Sequence, residues 1–237
     1  MLNAFKNPQR VALIGAGSEI GQSILNEIDA TAITDVLLAS RNGQANSAKF
    51  SGQAQLIAAD FATTTGRSLL IDQLFRSGDL DIAIIAIGIL SGDLAEMMNI
   101  NYVASVDLLT QIAARMSEQK HGKILVISSF AAVRPRLDLF EYGSMKAGLD
   151  FYARGLAEKV EPSGVTISIL RPGFVHTKMT VGLTPAPFSI TAIQAGKAGV
   201  SALNSKRVVS YAPGVLRFVA IAFRMIPKPI FRKLASR

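Results

Sequence analysis

Short, continuously apolar segments alternate with longer amphipathic segments along almost the whole chain. The amphipathic segments, which predict helices, include 64–76, 94–118 and 141–160. A strand that is apolar throughout is buried on both faces, as in a parallel sheet with helices on its two sides. The sequence therefore predicts an α/β fold built on a doubly wound parallel sheet. The segments that predict its strands are RVALI (10–14), DVLLAS (35–40), QLIAA (55–59), DIAIIAIG (81–88), KILVISS (123–129), VTISILR (165–171) and RVVSYA (207–212).

Nothing in the 237 residues divides this sheet into two units, because no linker-like, repetitive or low-complexity tract occurs. We expect a single domain, with the sheet in residues 1–212 and a basic amphipathic segment of the same domain in 213–237. With no cysteine and only two histidines, we expect no disulfide, no thiolate chemistry and no bound metal. The N-terminus lacks the apolar core of a signal peptide, and later apolar runs are too short to span a bilayer. We therefore expect neither a signal peptide nor a transmembrane helix.

The turn after the first strand, GAGSEIG, contains three glycines, Gly15, Gly17 and Gly21, and isoleucines at helical spacing follow it. The spacing matches neither the G-x-G-x-x-G dinucleotide fingerprint nor the P-loop as written. A strand, a tight glycine turn and a helix N-terminus nevertheless present backbone N–H groups to a phosphate at close range. The turn predicts a nucleotide site, and an ordinary glycine-rich turn without a ligand is the alternative.

A tyrosine and a lysine, Tyr142 and Lys146, lie one helical turn apart in a predicted helix, so their side chains share one face. We expect the ammonium group to lower the pKa of the phenol from its ordinary value of about 10, which makes a usable proton donor at neutral pH. A surface pair without a function is the alternative. It weakens because Ser129, at the end of the strand KILVISS, and Asn101 precede the pair in the chain.

Together with RPGFVHT at 171–177, these features resemble the short-chain dehydrogenase/reductase family over essentially the whole chain. The resemblance implies a Rossmann-type sheet of about seven strands that binds NAD(P)H. It implies a catalytic tetrad of Asn101, Ser129, Tyr142 and Lys146. The cofactor-binding residues that it implies are Gly15, Gly17, Ser18, Glu19, Ile20, Gly21, Arg41, Asp60, Phe61, Gly88, Tyr142, Lys146, Pro172, Gly173, Val175 and Thr177.

Two positions depart from the family pattern. Glu19 replaces the middle glycine of the turn, and Ala86-Ile87-Gly88 replaces Asn-Ala-Gly after the fourth strand. We expect Ser18 and Glu19 to cap the first helical turn. The resemblance further implies that Asp60 contacts the adenine. Arg41 stands where NAD-specific proteins carry an acidic residue for the ribose 2′-OH, so this residue favours the 2′-phosphate of NADPH.

The turn sequence SEIG, the missing asparagine and the ending YAPGVLRFVAIAFRMIPKPIFRKL are similar to a narrower group, the reductase subunits of decaprenylphosphoryl-ribose 2′-epimerases. This resemblance implies reduction of a polyprenyl-phosphate-linked keto-sugar to decaprenylphosphoryl-arabinose, for cell-wall arabinan. It also implies a flavin-dependent oxidase as the partner subunit, and it favours NADH. The alternatives are a reductase of acyl, steroid or small ketones, and a non-catalytic NAD(P) sensor, which usually lacks the tyrosine–lysine pair.

Basic residues are concentrated in the C-terminal third. Beyond Glu161 the chain contains 11 Lys or Arg and no Asp or Glu, so the part up to Glu161 carries a net charge of −3. Residues 214–226 predict a helix with a basic stripe, Arg217 and Arg224, on a broad apolar surface that includes Phe218. After it, Arg232, Lys233 and Arg237 add further positive charge.

The C-terminal pattern predicts a peripheral contact of 214–237 with an acidic plasma membrane. The cytoplasmic face is the default, and the periplasmic side stays open. Packing of this surface on the core, or on a second copy of the chain in a homo-oligomer, is the alternative. We expect no binding of nucleic acid, because the sequence contains no recognised nucleic-acid-binding motif.

Overall fold

The computed structural model describes residues 8–44, 54–227 and 229–231. Its strands are β1 (Arg10–Ile14), β2 (Asp35–Ser40), β3 (Ala54–Ala58), β4 (Ile82–Ile85), β5 (Gly122–Ile127), β6 (Val165–Pro172), β7 (Val175–His176), β8 (Ile190–Thr191) and β9 (Val209–Ala212). Its helices are α1 (Glu19–Glu27), α2 (Thr64–Phe75), α3 (Leu94–Met98), α4 (Ser105–Gln119), α5 (Phe140–Val160), α6 (Ala192–Leu203) and α7 (Leu216–Met225).

Seven of these strands form one sheet in the order β3-β2-β1-β4-β5-β6-β9, and every neighbouring pair is parallel. This arrangement confirms the predicted single-domain Rossmann-type fold. The strand β4 ends at Ile85, before the predicted end at Gly88, because the chain there leaves the sheet and enters a turn. The very short strands β7 and β8 were not predicted, since so short a pair shows no periodicity.

Helices cover both faces of the sheet, and each face has its own apolar core. On one face, side chains of α2, α4 and α5 such as Leu70, Ile112 and Ala153 are fully buried against the strands. On the other, α1 and α6 pack together and bury Ile24 and Ala195. Double coverage explains why the strands are apolar on both sides.

The strand β1 lies between β2 and β4, so the connections that follow β1 and β4 run to opposite faces of the sheet. Such a reversal opens a crevice beyond the carboxyl ends of the two strands. Gly15, directly after β1, has a φ of +91°, and a Cβ there would lie 2.8 Å from the backbone of Ala86. Glycine permits this close approach, which places the glycine turn at the crevice.

The C-terminal helix α7 uses two surfaces. Leu216 and Ala220 are buried against the domain, whereas Phe218, Ile221 and Met225 are exposed. One side of α7 therefore packs on the core, as one alternative predicted, and the other side leaves apolar side chains exposed, as the membrane alternative requires. No helix among the described residues is both long enough and apolar enough to cross a bilayer. The predicted basic residues Arg232, Lys233 and Arg237 lie outside the described residues.

A single arginine fastens the end of α7 to the loop that follows β5. The Arg134 guanidinium donates hydrogen bonds to the carbonyl oxygens of Phe223 and Ile226, the latter at 2.7 Å. It also lies 4.0 Å from the ring centroid of Phe231, which is buried. The carbonyl groups at a helix C-terminus have no partner inside the helix, and a cation there satisfies them.

Candidate active site

Each of the three glycines in the turn is required, or tolerated, for a different structural reason. Gly15 provides the positive φ and the close approach to Ala86. A Cβ at Gly21 would lie 2.7 Å from Leu13 Cδ1, so this glycine allows α1 to pack tightly on β1. A Cβ at Gly17 would meet no atom within 4 Å, because this residue faces the open cleft. Ser18 is the N-cap of α1, and its hydroxyl accepts a hydrogen bond from the Gly21 N–H at 3.2 Å.

A cleft of about 1220 Å³ runs along the glycine turn. Its walls come from the ends of β1, β2 and β4 and from the segment after β7. The predicted cofactor residues that line it are Gly15, Gly17, Ser18, Glu19, Ile20, Arg41, Phe61, Gly88 and Thr177. The cleft is also lined by residues that the sequence analysis missed, namely Gln22, Ser40, Asn42, Gln44, Ala86, Ile87, Ile89, Ile100, Lys178 and Met179.

Several predicted cofactor residues do not belong to this lining. The carboxylate of Asp60 accepts a hydrogen bond from the N–H of Ala62 at 3.0 Å. Gly173 donates to the Ala212 carbonyl, and a Cβ there would lie 2.6 Å from Leu216 of α7. Pro172 lies in β6 and Val175 lies in β7. Gly21 packs against Leu13 of β1. Their predicted contacts with the cofactor remain predictions.

Lys146 is buried beneath the cleft. Its ammonium group donates hydrogen bonds to the carbonyl oxygens of Ile127, at 3.2 Å, and Ile87, at 3.3 Å. A Cβ at Gly88 would lie 3.3 Å from this ammonium and 2.9 Å from the amide oxygen of Asn101, so glycine lets both side chains converge. Burial lowers the pKa of Lys146 from its ordinary value to about 8.

Asn101 lies in a π-helical segment, Asn99–Ala104, between α3 and α4. Such local widenings of a helix often occur at functional sites. Its amide exchanges two hydrogen bonds with the backbone of Ile89, at 2.8 and 3.1 Å. These bonds hold the segment after β4 over Lys146. Asn101 therefore acts on the lysine through the position of this segment.

The phenol of Tyr142 hydrogen-bonds Ser129, the residue that follows β5 by two positions. Burial raises the pKa of Tyr142 to about 12, and the Ser129 hydrogen bond lowers it only in part. The expectation that this pKa lies below its ordinary value is therefore wrong. The physical reason is burial, which outweighs the groups that favour the phenolate, while the ammonium is directed to backbone carbonyls.

A buried ion pair joins α5, which carries Tyr142 and Lys146, to the end of β6, and it lies beside the segment of Ser129. Asp150, one turn after Lys146 on α5, accepts two hydrogen bonds from Arg171, at 2.6 and 2.7 Å. It also accepts one from Ser128, the neighbour of Ser129, at 3.1 Å. All three side chains are at least nine-tenths buried. Burial alone would lower the pKa of Arg171, but the interactions with Asp150, together with those of Tyr211, outweigh burial and raise it.

Comparison with known proteins identifies the family. Residues 9–187 match the short chain dehydrogenase family. The chain belongs to the short-chain dehydrogenases. An uncharacterized oxidoreductase of Mycobacterium tuberculosis is 35% identical over 243 residues, covering 94% of this chain and 96% of that protein. An uncharacterized oxidoreductase of Streptomyces coelicolor is 31% identical over 249 residues, covering 96% of each.

Solved structures show the same fold. A short-chain dehydrogenase from Burkholderia cenocepacia, in complex with NADP, superposes with a TM-score of 0.84 at 16% identity, covering 96% of this chain and 98% of that one. A short-chain dehydrogenase from Sphingobium yanoikuyae, in complex with NADPH, gives 0.78 at 19% identity, covering 93% and 97%. As a member of its family, this short-chain dehydrogenase is an NAD(P)-dependent oxidoreductase.

The residues of the cleft fit a dinucleotide. Gly17 leaves open space at the N-terminus of α1, where backbone N–H groups and the helix dipole favour a pyrophosphate. At the far end of the cleft, Ser40 is the last residue of β2, and Arg41 and Asn42 follow it; all three supply polar groups for the adenosine half. The fit rests on this chain's own geometry as well as on its family.

Arg41 provides a test of cofactor choice. Its side chain is exposed at the rim of the cleft, so Arg41→Ala should leave the fold unchanged. We expect the KM for NADPH to rise about ten- to a hundredfold, because a charge-assisted hydrogen bond contributes roughly 1.5–3 kcal/mol, while the KM for NADH changes little. Steady-state kinetics with both cofactors measure the effect. Arg76→Ala, an equal charge change at an exposed site on the end of α2, is the control. Equal effects on both cofactors would show that Arg41 does not contact the 2′-phosphate of NADPH.

Proposed function

We propose that this short-chain dehydrogenase reduces the carbonyl group of a lipid-linked substrate, with NADPH as the hydride donor. The hydrogen bond between Tyr142 and Ser129, one helical turn from the buried ammonium of Lys146, is the observation that carries the proposed chemistry. With a pKa of about 12, the phenol keeps its proton throughout the neutral range. A neutral phenol can donate a proton to a developing alkoxide, as reduction requires, whereas oxidation of an alcohol requires the phenolate as a base.

The other members of the tetrad have supporting roles in this proposal. A bound nicotinamide supplies the hydride. Ser129, already hydrogen-bonded to the phenol, also donates to the carbonyl oxygen and fixes its distance from Tyr142. Lys146 carries a positive charge below a pH of about 8, so its field favours the negative charge that develops on the substrate oxygen. Asn101 holds the loop that covers Lys146.

The space beside Tyr142 suits a small head group with apolar surroundings. A cavity of about 180 Å³ adjoins the tyrosine. It is lined by apolar side chains together with two carboxylates, which can accept hydrogen bonds from sugar hydroxyl groups. The lining residues are Leu90, Met97, Leu137, Asp138, Leu139, Phe140, Glu141 and Tyr142.

Exposed apolar residues are concentrated at the same edge of the sheet. Three segments leave the carboxyl ends of the neighbouring strands β5, β6 and β9, so they share this edge. Each carries large apolar side chains in contact with solvent, and exposed apolar side chains that form a patch mark a site for a membrane or another partner. They are Leu137 and Phe140 after β5, Met179, Val181, Leu183 and Phe188 after β6, and Val215, Phe218, Ile221 and Met225 after β9.

Within this class, we propose a keto-sugar on a polyprenyl phosphate as the substrate, specifically decaprenylphosphoryl-2-keto-erythro-pentose. The proposal rests on the resemblance of SEIG and of the C-terminal sequence, and on the apolar edge, which suits a tail that stays in the bilayer. A flavin-dependent oxidase would then supply the ketone. An acyl or steroid ketone is the second candidate, because the tetrad acts on the carbonyl group whatever the rest of the substrate is.

The substrate class is tested by following NADPH oxidation with three ketones presented in detergent or vesicles. These are a polyprenyl-phosphoryl 2-keto-pentose, the same keto-pentose phosphate without the lipid, and a steroid ketone. We expect turnover with the first and a loss of at least about tenfold in kcat/KM without the lipid, since buried methylenes contribute roughly 0.8 kcal/mol each. Efficient turnover of the steroid ketone alone would overturn the keto-sugar proposal but leave the proposed carbonyl reduction standing.

Membrane contact is tested by removing the exposed apolar side chains of α7. Phe218→Ser, Ile221→Ser and Met225→Ser combined should lower partition onto anionic vesicles about tenfold or more, as apolar burial is lost. High salt should weaken the binding of the unchanged protein by screening Arg217 and Arg224. Vesicle sedimentation measures both effects. The control is the double variant Leu56→Ser with Leu69→Ser. These two side chains are exposed on β3, the outermost strand on the side of the sheet away from β9, and on α2. Equal sedimentation of all three proteins would rule out this surface.

A further inference from the structure

Glu19 does more than begin the first helix. It occupies the position at which the family pattern has a glycine, and it lines the cofactor cleft. Its carboxylate crosses the cleft, and Oε2 accepts a hydrogen bond of 2.5 Å from the backbone N–H of Lys178. Lys178 lies on the opposite wall, far from Glu19 in the chain. One side chain therefore joins two segments of the cleft lining that are far apart in the chain.

The place that this carboxylate occupies is one that favours an anion. The N–H groups of the first turn of α1 have no partner inside the helix, and the helix dipole is positive there. Lys178 adds an N–H from the other wall, and Thr177 and Met179 line the cleft beside it. A pyrophosphate bound at α1 would use these same donors. The carboxylate and the pyrophosphate are both negative, so they would repel each other if both lay beside the Lys178 N–H.

We propose that Glu19 is a latch that competes with the cofactor pyrophosphate for the Lys178 N–H. Without cofactor, the carboxylate holds the segment 177–180 against α1. Binding of the cofactor displaces the carboxylate and releases its hold on this segment. The exposed apolar residues Val181 and Leu183 follow this segment directly. The latch therefore links cofactor binding to the mobility of the apolar residues that we propose contact the substrate.

The hydrogen bonds of the segment support this account. The backbone N–H of Thr177 donates to the Thr180 hydroxyl, and the N–H of Thr180 donates to the Thr177 carbonyl. These two hydrogen bonds fix the shape of the turn from Thr177 to Thr180. The Thr180 hydroxyl also donates to the Val175 carbonyl in β7, which anchors one end of the turn. Glu19 provides the connection from the Lys178 N–H across the cleft.

The latch is tested by Glu19→Ala with two independent measurements. In the protein without cofactor, hydrogen exchange of the Lys178 amide should become at least about tenfold faster, because the amide loses its acceptor. The Kd for NADPH, followed by nicotinamide fluorescence, should fall about three- to thirtyfold as the competing charge disappears. Glu19→Gln keeps an acceptor but removes the charge, so it should tighten NADPH binding while changing the exchange rate less.

Glu27→Ala is the matched control, since it removes the same charge from an exposed position at the other end of α1. It should change neither measurement. Unchanged exchange at Lys178 in Glu19→Ala would show that the contact does not form in solution and would overturn the proposal. Weaker NADPH binding in Glu19→Ala would also overturn it, because Glu19 would then assist the cofactor. Neither measurement depends on the substrate, so failure of the latch leaves the proposed reduction untouched.

Discussion

Tyr142→Phe should lower kcat for carbonyl reduction by about 10²- to 10⁴-fold while leaving the Kd for NADPH within about twofold of its original value. The substitution removes the phenolic proton that this arrangement, with its hydrogen bond to Ser129, holds ready for transfer, and it keeps the ring. Stopped-flow turnover and NADPH fluorescence measure the two quantities separately. A loss confined to kcat is the sign of an interaction made in the transition state.

Tyr152→Phe is a closely matched control for this experiment. Tyr152 lies on the same helix, and its hydroxyl pairs with Thr110 at 2.8 Å, between α4 and α5. Losing that hydroxyl should affect stability slightly and turnover little. If Tyr142→Phe keeps more than about a tenth of the original kcat, Tyr142 is not the proton donor, and the proposed role of the tetrad loses its support.

The fold was predictable because its signals are local and repeated. Segments such as DVLLAS and VTISILR are apolar along most of their length, and a sheet covered on both faces explains several of them in series. Gly15 was predictable for the same reason, since a glycine between a strand and a helix has few other uses. The pair β7 and β8 was not, because it depends on a contact between segments that a loop separates in the chain.

The electrostatics of the site were less predictable. Spacing places Tyr142 and Lys146 on one helix face, but it does not say where the ammonium points. Backbone carbonyls of two other strand ends, at Ile87 and Ile127, attract it, and burial decides the pKa of the phenol. Such effects depend on what the rest of the fold brings to the helix, which no short motif contains.

Long-range side-chain pairs were the least predictable. Glu19 was expected to cap its own helix, yet Ser18 provides that cap and Glu19 reaches Lys178. The pair of Asp150 and Arg171 gave no sequence signal, because an Asp on a helix and an Arg before a proline are ordinary on their own. They form an ion pair only because the fold places α5 beside β6.

Asp150→Asn should lower the free energy of unfolding by about 3–5 kcal/mol, because the guanidinium of Arg171 stays buried without its counter-charge. Urea denaturation measures this loss. The turnover number should fall as well, about tenfold to a hundredfold, since Asp150 joins the helix of Lys146 to the strand ends that carry Ser129 and Pro172. The Kd for NADPH should change less than kcat, because the glycine turn does not touch this ion pair.

A second variant separates positioning from stability. Asp150→Leu combined with Arg171→Met removes both charges, so it should be more stable than Asp150→Asn alone. If the pair positions the tetrad, kcat stays low in this double variant although the fold recovers. Asp107→Asn is the control, since it breaks another ion pair to a buried arginine, Arg67, near Phe61 at the other end of the cleft. It should cost stability without lowering kcat. Recovery of both stability and kcat in the double variant would mean that Asp150 and Arg171 only hold the fold together.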